Sequence, residues 1–293
     1  MPDTTPTSPR LKSLQCLGAQ GLHRMAYWEW GDPANPRVLV CAHGLSRQGR
    51  DFDTLAAALA DQYRVVCPDV VGRGRSDWLA DPMGSAIPAY VADMVTLLAR
   101  LDASTVHWLG TSMGGLIGMG LASLPGSPVA RLVLNDVGPV IEWASLQRIG
   151  SYLGLPVRWP SEQAAADALW AISQGFGPHT PEQWLALTRP QLKPDGDGFV
   201  SRYDPAIAVP FRHLTEALAR AGETMLWQTY DRISCPTLLL CGAESDLLSP
   251  ATAQAMTERG PRPRRVSFAG VGHAPTLIAA DQVRAVRDFL LSP

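Results

Sequence analysis

No apolar segment of this 293-residue chain approaches the roughly 18 uninterrupted residues that a helix needs to cross a bilayer. Gly, Pro, Arg or Asp punctuates each such stretch, which excludes a membrane-spanning role. Positive charge is in short supply too: 25 Lys and Arg stand against 27 Asp and Glu, a net charge of -2, and the arginines are scattered. With no basic patch to displace counterions from phosphates, nucleic acid is not an expected partner. The five cysteines, Cys16, Cys41, Cys67, Cys235 and Cys241, show neither C-x-x-C nor Cys/His ligand spacing, so no metal centre is expected. Four of them sit in or beside apolar β-rich runs, where cysteine acts as a small buried hydrophobe. The start, MPDTTPTSPRLKS, is polar and lacks the apolar stretch of a secretory signal; a disordered beginning and a cytoplasmic location are the expectation. Internal repeats are missing, and so are low-complexity tracts beyond the first ten residues.

What remains is a globular composition, 46% apolar and 18% charged. A chain of this length can bury roughly 75% of its unfolded surface, enough core to hold a strained catalytic turn in place. Residues 14–16 and 22–30 read as an antiparallel strand pair ending in Gly31-Asp32-Pro33. Short β-rich runs at 37–41, 64–67, 106–109 and 131–135 then alternate with helical patterns at 53–60, 90–101 and 116–124. That rhythm predicts an α/β fold with a mostly parallel sheet and helices on both faces. It breaks between residues 140 and 230, where strand signals nearly vanish and helical stretches such as 161–173 and 181–187 appear. It resumes with a strand at 236–241, a helix at 250–259, a strand at 265–268 and a last helix at 281–291. The expected division is a core of residues 1–139 and 231–293 with a helical insertion of residues 140–230.

Gly110-Thr111-Ser112-Met113-Gly114 follows the strand 106–109 and precedes a helix, the context that G-x-S-x-G requires. The turn is so tight that its flanks must be glycine, and the serine is driven into an unfavourable backbone conformation that lifts its hydroxyl clear of the sheet. The helix behind it directs free N–H groups and its positive dipole end at the same point. Ser112 is therefore the candidate nucleophile.

A serine hydroxyl is a weak nucleophile at neutral pH and needs a histidine base steered by an acid. Of the six histidines, His273, in Ala269-Gly270-Val271-Gly272-His273-Ala274-Pro275, occupies a shaped loop after the last strand and is the best candidate base. For the acid, Glu244 and Asp246 follow the penultimate strand, and Asp136 after the 132–134 strand is a rival position.

These residues resemble the α/β-hydrolase superfamily over about residues 22–139 and 235–291. Chain order Ser, Asp, His fits it. Ala42-His43-Gly44-Leu45 is similar to the family's His-Gly oxyanion loop, which implies an oxyanion hole formed by the N–H groups of Leu45 and Met113, with His43 shaping the loop. Asp69-Val70-Val71-Gly72-Arg73-Gly74-Arg75-Ser76 is similar to the family's G-x-G-x-S turn, a structural landmark. The spacing of Asp246 to Pro250 resembles the family's acid loop and favours Asp246 over Glu244 and Asp136.

Within that family a serine at 112 argues against dehalogenases and epoxide hydrolases, which place aspartate there. Carbon-carbon bond hydrolases usually carry Asn before the serine and Trp after the histidine, where this chain has Thr111 and Ala274. The expected activity is hydrolysis of small, largely apolar carboxylic esters through an acyl-enzyme, with no metal and no cofactor. The alternatives are a carbon-carbon bond hydrolase, lactonase, hydroxyalkanoate oligomer hydrolase or perhydrolase on the same triad, or a ligand receptor. The insertion is expected to form a lid, its aromatic residues supplying lid core and some pocket wall; His43, Gly44, Val140 and Trp143 are the expected substrate contacts. If one of Arg148, Arg158, Arg189, Arg202 or Arg212 faces the pocket, a carboxylate-bearing substrate would fit.

Overall fold

The structure is a computed structural model that describes residues 8–292. β1 (Arg10–Gly18) and β2 (Gly21–Trp30) form an antiparallel hairpin closed at Gly18 and Gly21. The polar start is thus strand from Arg10 onward, because its alternating side chains pair with β2; residues 1–7 of the expected disordered stretch lie outside the described residues. There follow β3 (Val38–Ala42), α1 (Asp53–Leu59), β4 (Arg64–Pro68), α2 (Ile87–Leu101), β5 (Val106–Thr111), α3 (Met113–Ala122) and β6 (Val129–Asn135). After the segment between β6 and β10 come β10 (Thr237–Gly242), α9 (Pro250–Glu258), β11 (Arg264–Phe268) and α10 (Ala280–Leu291).

The eight-stranded sheet runs β1-β2-β4-β3-β5-β6-β10-β11. β2 meets β4 antiparallel, and every pairing from β4 to β11 is parallel. Strand periodicity of two divides the side chains between faces. Val40, Trp108, Leu132 and Leu239 pack with Met94 and Leu97 of α2, Ile117 of α3 and Met256 of α9. Leu39, Leu109, Val133 and Leu240 pack on the other face with Leu55 and Leu59 of α1 and Val286 and Phe289 of α10. Parallel strands of this kind bring their carboxyl ends to one edge, where loops gather a site. Ala42 is level with Gly110, and Thr111 with Asn135.

The segment between β6 and β10 holds α4 (Trp143–Tyr152), β7 (Arg158–Trp159), α5 (Glu162–Ser173), α6 (Pro181–Thr188), β8 (Leu192–Asp195), β9 (Gly198–Ser201), α7 (Ala208–Arg212) and α8 (Glu216–Asp231). Helices dominate, but a three-stranded antiparallel sheet β7-β9-β8 is present where strand signals are weakest. Its hairpin turns at Gly196-Asp197, with Gly196 at φ +56°, so the Gly-Asp pair carried the turn signal although the flanking runs are short. α8 belongs by packing to the core: Tyr230 is fully buried in the main apolar cluster, with Leu226 and Trp227 against it.

Candidate active site

β5 ends at Thr111 and α3 begins at Met113, which leaves Ser112 alone to reverse the chain. It does so at φ 52° and ψ -117°, a conformation an L residue keeps only where its surroundings over-determine it. They do here. A Cβ on Gly110 would stand 2.1 Å from the Gly114 carbonyl oxygen, and one on Gly114 would stand 2.0 Å from that of Ala42. The Ser112 N–H donates to the Asn135 carbonyl at 3.0 Å, tying the bend to β6.

His273, from the loop after β11, brings Nε2 to 3.0 Å from Ser112 Oγ. Its Nδ1 lies 2.8 Å from Oδ2 of Asp136, the residue that follows β6. A carboxylate can only accept, so Nδ1 carries the proton and Nε2 is left to accept from the serine hydroxyl. Asp136 is fully buried and sits at φ 55°, a left-handed position that aspartate tolerates. Its Oδ1 accepts the Gly242 N–H at 2.9 Å and its Oδ2 accepts the Ser245 hydroxyl at 2.6 Å.

The acid beside the imidazole is therefore Asp136, and the expectation of Asp246 is corrected. Asp246 is half exposed and bound to Arg148 at 2.7 Å. Glu244 is exposed as well, accepting the Gly270 N–H at 3.1 Å. The physical reason is register: Thr111 pairs with Asn135, so the residues one step further along both strands, Ser112 and Asp136, emerge side by side. The loop expected to carry the acid instead supplies Ser245, which braces it. Asn135 adds support from its amide, donating to Thr111 Oγ1 at 2.9 Å and to the Pro275 carbonyl at 2.8 Å.

The loop after β3 runs alongside the nucleophile; a Cβ on Gly44 would lie 3.8 Å from Ser112 Cβ. His43 is buried, with Nδ1 donating to the Gly44 carbonyl at 2.7 Å and Nε2 accepting the Val70 N–H at 3.0 Å. Burial, helped by the charges of Arg73 and Arg47, drives its pKa down to about 3, so the ring is neutral and both nitrogens are committed to shaping the loop. Arg73 is fully buried and donates from Nε to the Leu45 carbonyl at 2.8 Å. Met113 opens α3, where N–H groups lack intrahelical acceptors.

A cavity of about 570 Å³ opens over Ser112 and His273, within the range of small-molecule sites. Core loops and the segment between β6 and β10 both line it, the latter with Arg148, Tyr152, Trp159, Leu169, Ile172 and Phe176. Of the four expected substrate contacts, His43 and Gly44 lie in the wall and Val140 and Trp143 do not, the wall being built from later turns of α4 and from α5. Arg47, which the sequence did not single out, also lines it, paired to Asp51 at 2.5 Å and facing the Phe176 ring at 5.6 Å. Among the described residues, Cys16, His23 and Asp93 bring potential metal-ligating atoms within 4.8 Å of one another; none of the three lines the cavity. His23 Nε2 and Asp93 Oδ2, 3.0 Å apart, satisfy each other there.

Comparison with known proteins identifies the family. The model of the alpha/beta hydrolase family matches residues 39–287, and the chain belongs to that family. Within it, the chain is a hydrolase acting on esters. It is 56% identical over 286 residues, 96% of its own length and 98% of the other, to a 3-hydroxybutyrate-oligomer hydrolase of Cupriavidus necator. It is 28% identical over 268 residues to a pimeloyl-[acyl-carrier protein] methyl ester esterase of Xanthomonas axonopodis pv. citri, covering 87% of this chain and 95% of that one. The crystal structure of an alpha/beta hydrolase from Novosphingobium aromaticivorans matches with a TM-score of 0.85 at 33% identity, covering 97% of this chain and 98% of that chain.

Proposed function

We propose that the chain hydrolyses the ester bonds of 3-hydroxybutyrate oligomers. The observation that carries this is the 56% identity, over nearly the whole of both chains, with a relative of that activity. Ser112 Oγ attacks the ester carbonyl, its proton passes to His273 Nε2, and the carbonyl electron pair moves onto the oxygen between the Leu45 and Met113 N–H groups. Collapse of that intermediate expels the alcohol half, which takes the proton from His273. Water, activated by the same imidazole, then releases the acid half. Asp136 holds the tautomer and stabilises the imidazolium throughout.

The segment over the site acts as a lid in this reading, and Arg47 and Arg148 are the wall's cations. Each already holds a carboxylate, so the free acid end of an oligomer would be received at a compensated ion pair. The protein works in the cytoplasm on a small-molecule ester; its five cysteines, all free thiols, suit that compartment. The test is hydrolysis of the 3-hydroxybutyrate dimer and trimer, set beside their methyl esters and a neutral butyrate ester, with Ser112→Ala as control. Efficient cleavage by the wild type alone is expected; turnover of butyrate esters without the oligomers would overturn the substrate assignment. Equal rates on acids and methyl esters would remove any role for the two arginines in carboxylate recognition.

A further inference from the structure

Arg73 is a fully buried cation with no carboxylate within ion-pairing distance among the described residues. Its hydrogen bonds go to neutral acceptors only. Nε donates to the Leu45 carbonyl at 2.8 Å; Nη1 donates to the Val71 carbonyl at 2.7 Å and to Tyr90 Oη at 2.8 Å. Nη2 reaches Met113 Sδ at 3.7 Å, and the Tyr90 ring lies 5.1 Å from the guanidinium carbon. Tyr90 is therefore both acceptor and aromatic face.

A charge taken out of water without a counter-ion is costly, and proteins ordinarily pair it. Here the surroundings hold it by dipoles alone, so its field is not cancelled at close range. Two of its four contact residues are Leu45 and Met113, whose N–H groups are the proposed oxyanion donors. Arg73 itself does not line the cavity; it lies behind that wall. The depressed pKa of His43 on the same loop includes a contribution from the Arg73 charge, so its field reaches the edge of the site.

We infer that Arg73 is a positioning residue behind the oxyanion hole: its guanidinium anchors the Leu45 carbonyl, and with it the loop that carries the Leu45 N–H, and its unneutralised charge stabilises the negative oxygen formed when Ser112 attacks. Resting substrates have only a weakly charged carbonyl oxygen, whereas the tetrahedral intermediate carries close to a full negative charge. A fixed cation in a low-dielectric setting consequently lowers the barrier more than it strengthens binding. The inference rests on the proposed roles of Ser112, Leu45 and Met113.

The test compares Arg73→Met, Arg73→Gln and Arg73→Lys with the wild type on p-nitrophenyl butyrate and against an alkyl trifluoromethyl ketone, which gives an oxyanion adduct with the serine. Removing a direct oxyanion donor costs about 100- to 1,000-fold in kcat, so this more remote charge is expected to be worth about 10- to 100-fold, with KM little changed. Arg73→Met and Arg73→Gln should lose kcat together and weaken the ketone by the same factor, and Arg73→Lys should restore most of both. If Arg73→Gln restores as much as Arg73→Lys, or if ketone affinity stays constant while kcat falls, the charge plays no part and the inference fails. Should none of the three fold, Tyr90→Glu decides, because it sets a carboxylate beside the guanidinium and cancels its charge without removing it. A parallel loss of kcat and ketone affinity supports the inference, and neither changing overturns it. Activity in Ser112→Ala, or a wild type indifferent to the ketone, would instead bring down the proposed site itself.

Discussion

Asp136 and Asp246 are the same residue type at the ends of neighbouring strands, and their surroundings give them different work. Asp136 is sealed in and accepts three hydrogen bonds, one of them from His273. Asp246 faces solvent in a pair with Arg148, the kind of contact worth little when exposed. Asp136→Asn is accordingly expected to reduce kcat by about 10,000-fold by favouring the wrong tautomer of the base. Asp246→Asn should change kcat/KM on a neutral ester by less than about threefold, in keeping with a weak exposed pair. Steady-state kinetics of both variants on p-nitrophenyl butyrate checks this; a larger loss at Asp246 would reverse the assignment. Ser245→Ala, which removes one of the bonds to Asp136 Oδ2, should fall between the two.

At the scale of elements, the decisive contact is α3 against β3. Gly114 lets the helix start almost on top of the Ala42 carbonyl, and no side chain fits between them. Gly114→Ala must push the helix or the strand aside, and overpacking of this kind typically costs about 1–3 kcal/mol, more where backbone is the obstacle. A lowered urea midpoint with lost esterase activity is the expected result; unchanged stability would mean that the elbow is looser than its geometry indicates. Regular elements were legible because their periodicity is local: α2, α5, α9 and α10 fall within a few residues of the expected spans. The β7-β9-β8 sheet was not, since β7 has two residues and β8 and β9 have four each, too few for alternation to register. Likewise, nothing in the pattern of Glu216–Asp231 distinguishes an insertion helix from one packed on α3; only the burial of Tyr230 does.

Over the whole molecule, burial sets how stability responds to acid. It lowers His43 to about 3 and His107 to about 4, in both cases mainly by desolvation. The folded state therefore binds fewer protons at these rings than the unfolded chain, whose histidines titrate near about 6.5. Their contribution is complete above about 6.5 and is lost as pH falls toward the folded values. Asp69 acts in the opposite sense: burial raises it to about 6, so its contribution is largest below the usual carboxylate range and fades as pH rises through about 6. His107→Gln should thus flatten the fall of the thermal midpoint between about pH 6.5 and about pH 4 relative to wild type. Identical slopes in the two proteins would show that His107 is not held neutral by folding.

The sequence by itself determined the alternating α/β architecture, the strained serine with its obligatory glycines and the loop histidine. Each of these is written in a few adjacent residues, whose sterics and periodicity act over one turn or one strand. The tertiary structure alone decided which carboxylate meets the imidazole, which arginines reach the cavity and which cation is left unpaired behind it. Those outcomes depend on strand register and on packing between segments remote in the chain, and no local pattern encodes a distance of that kind.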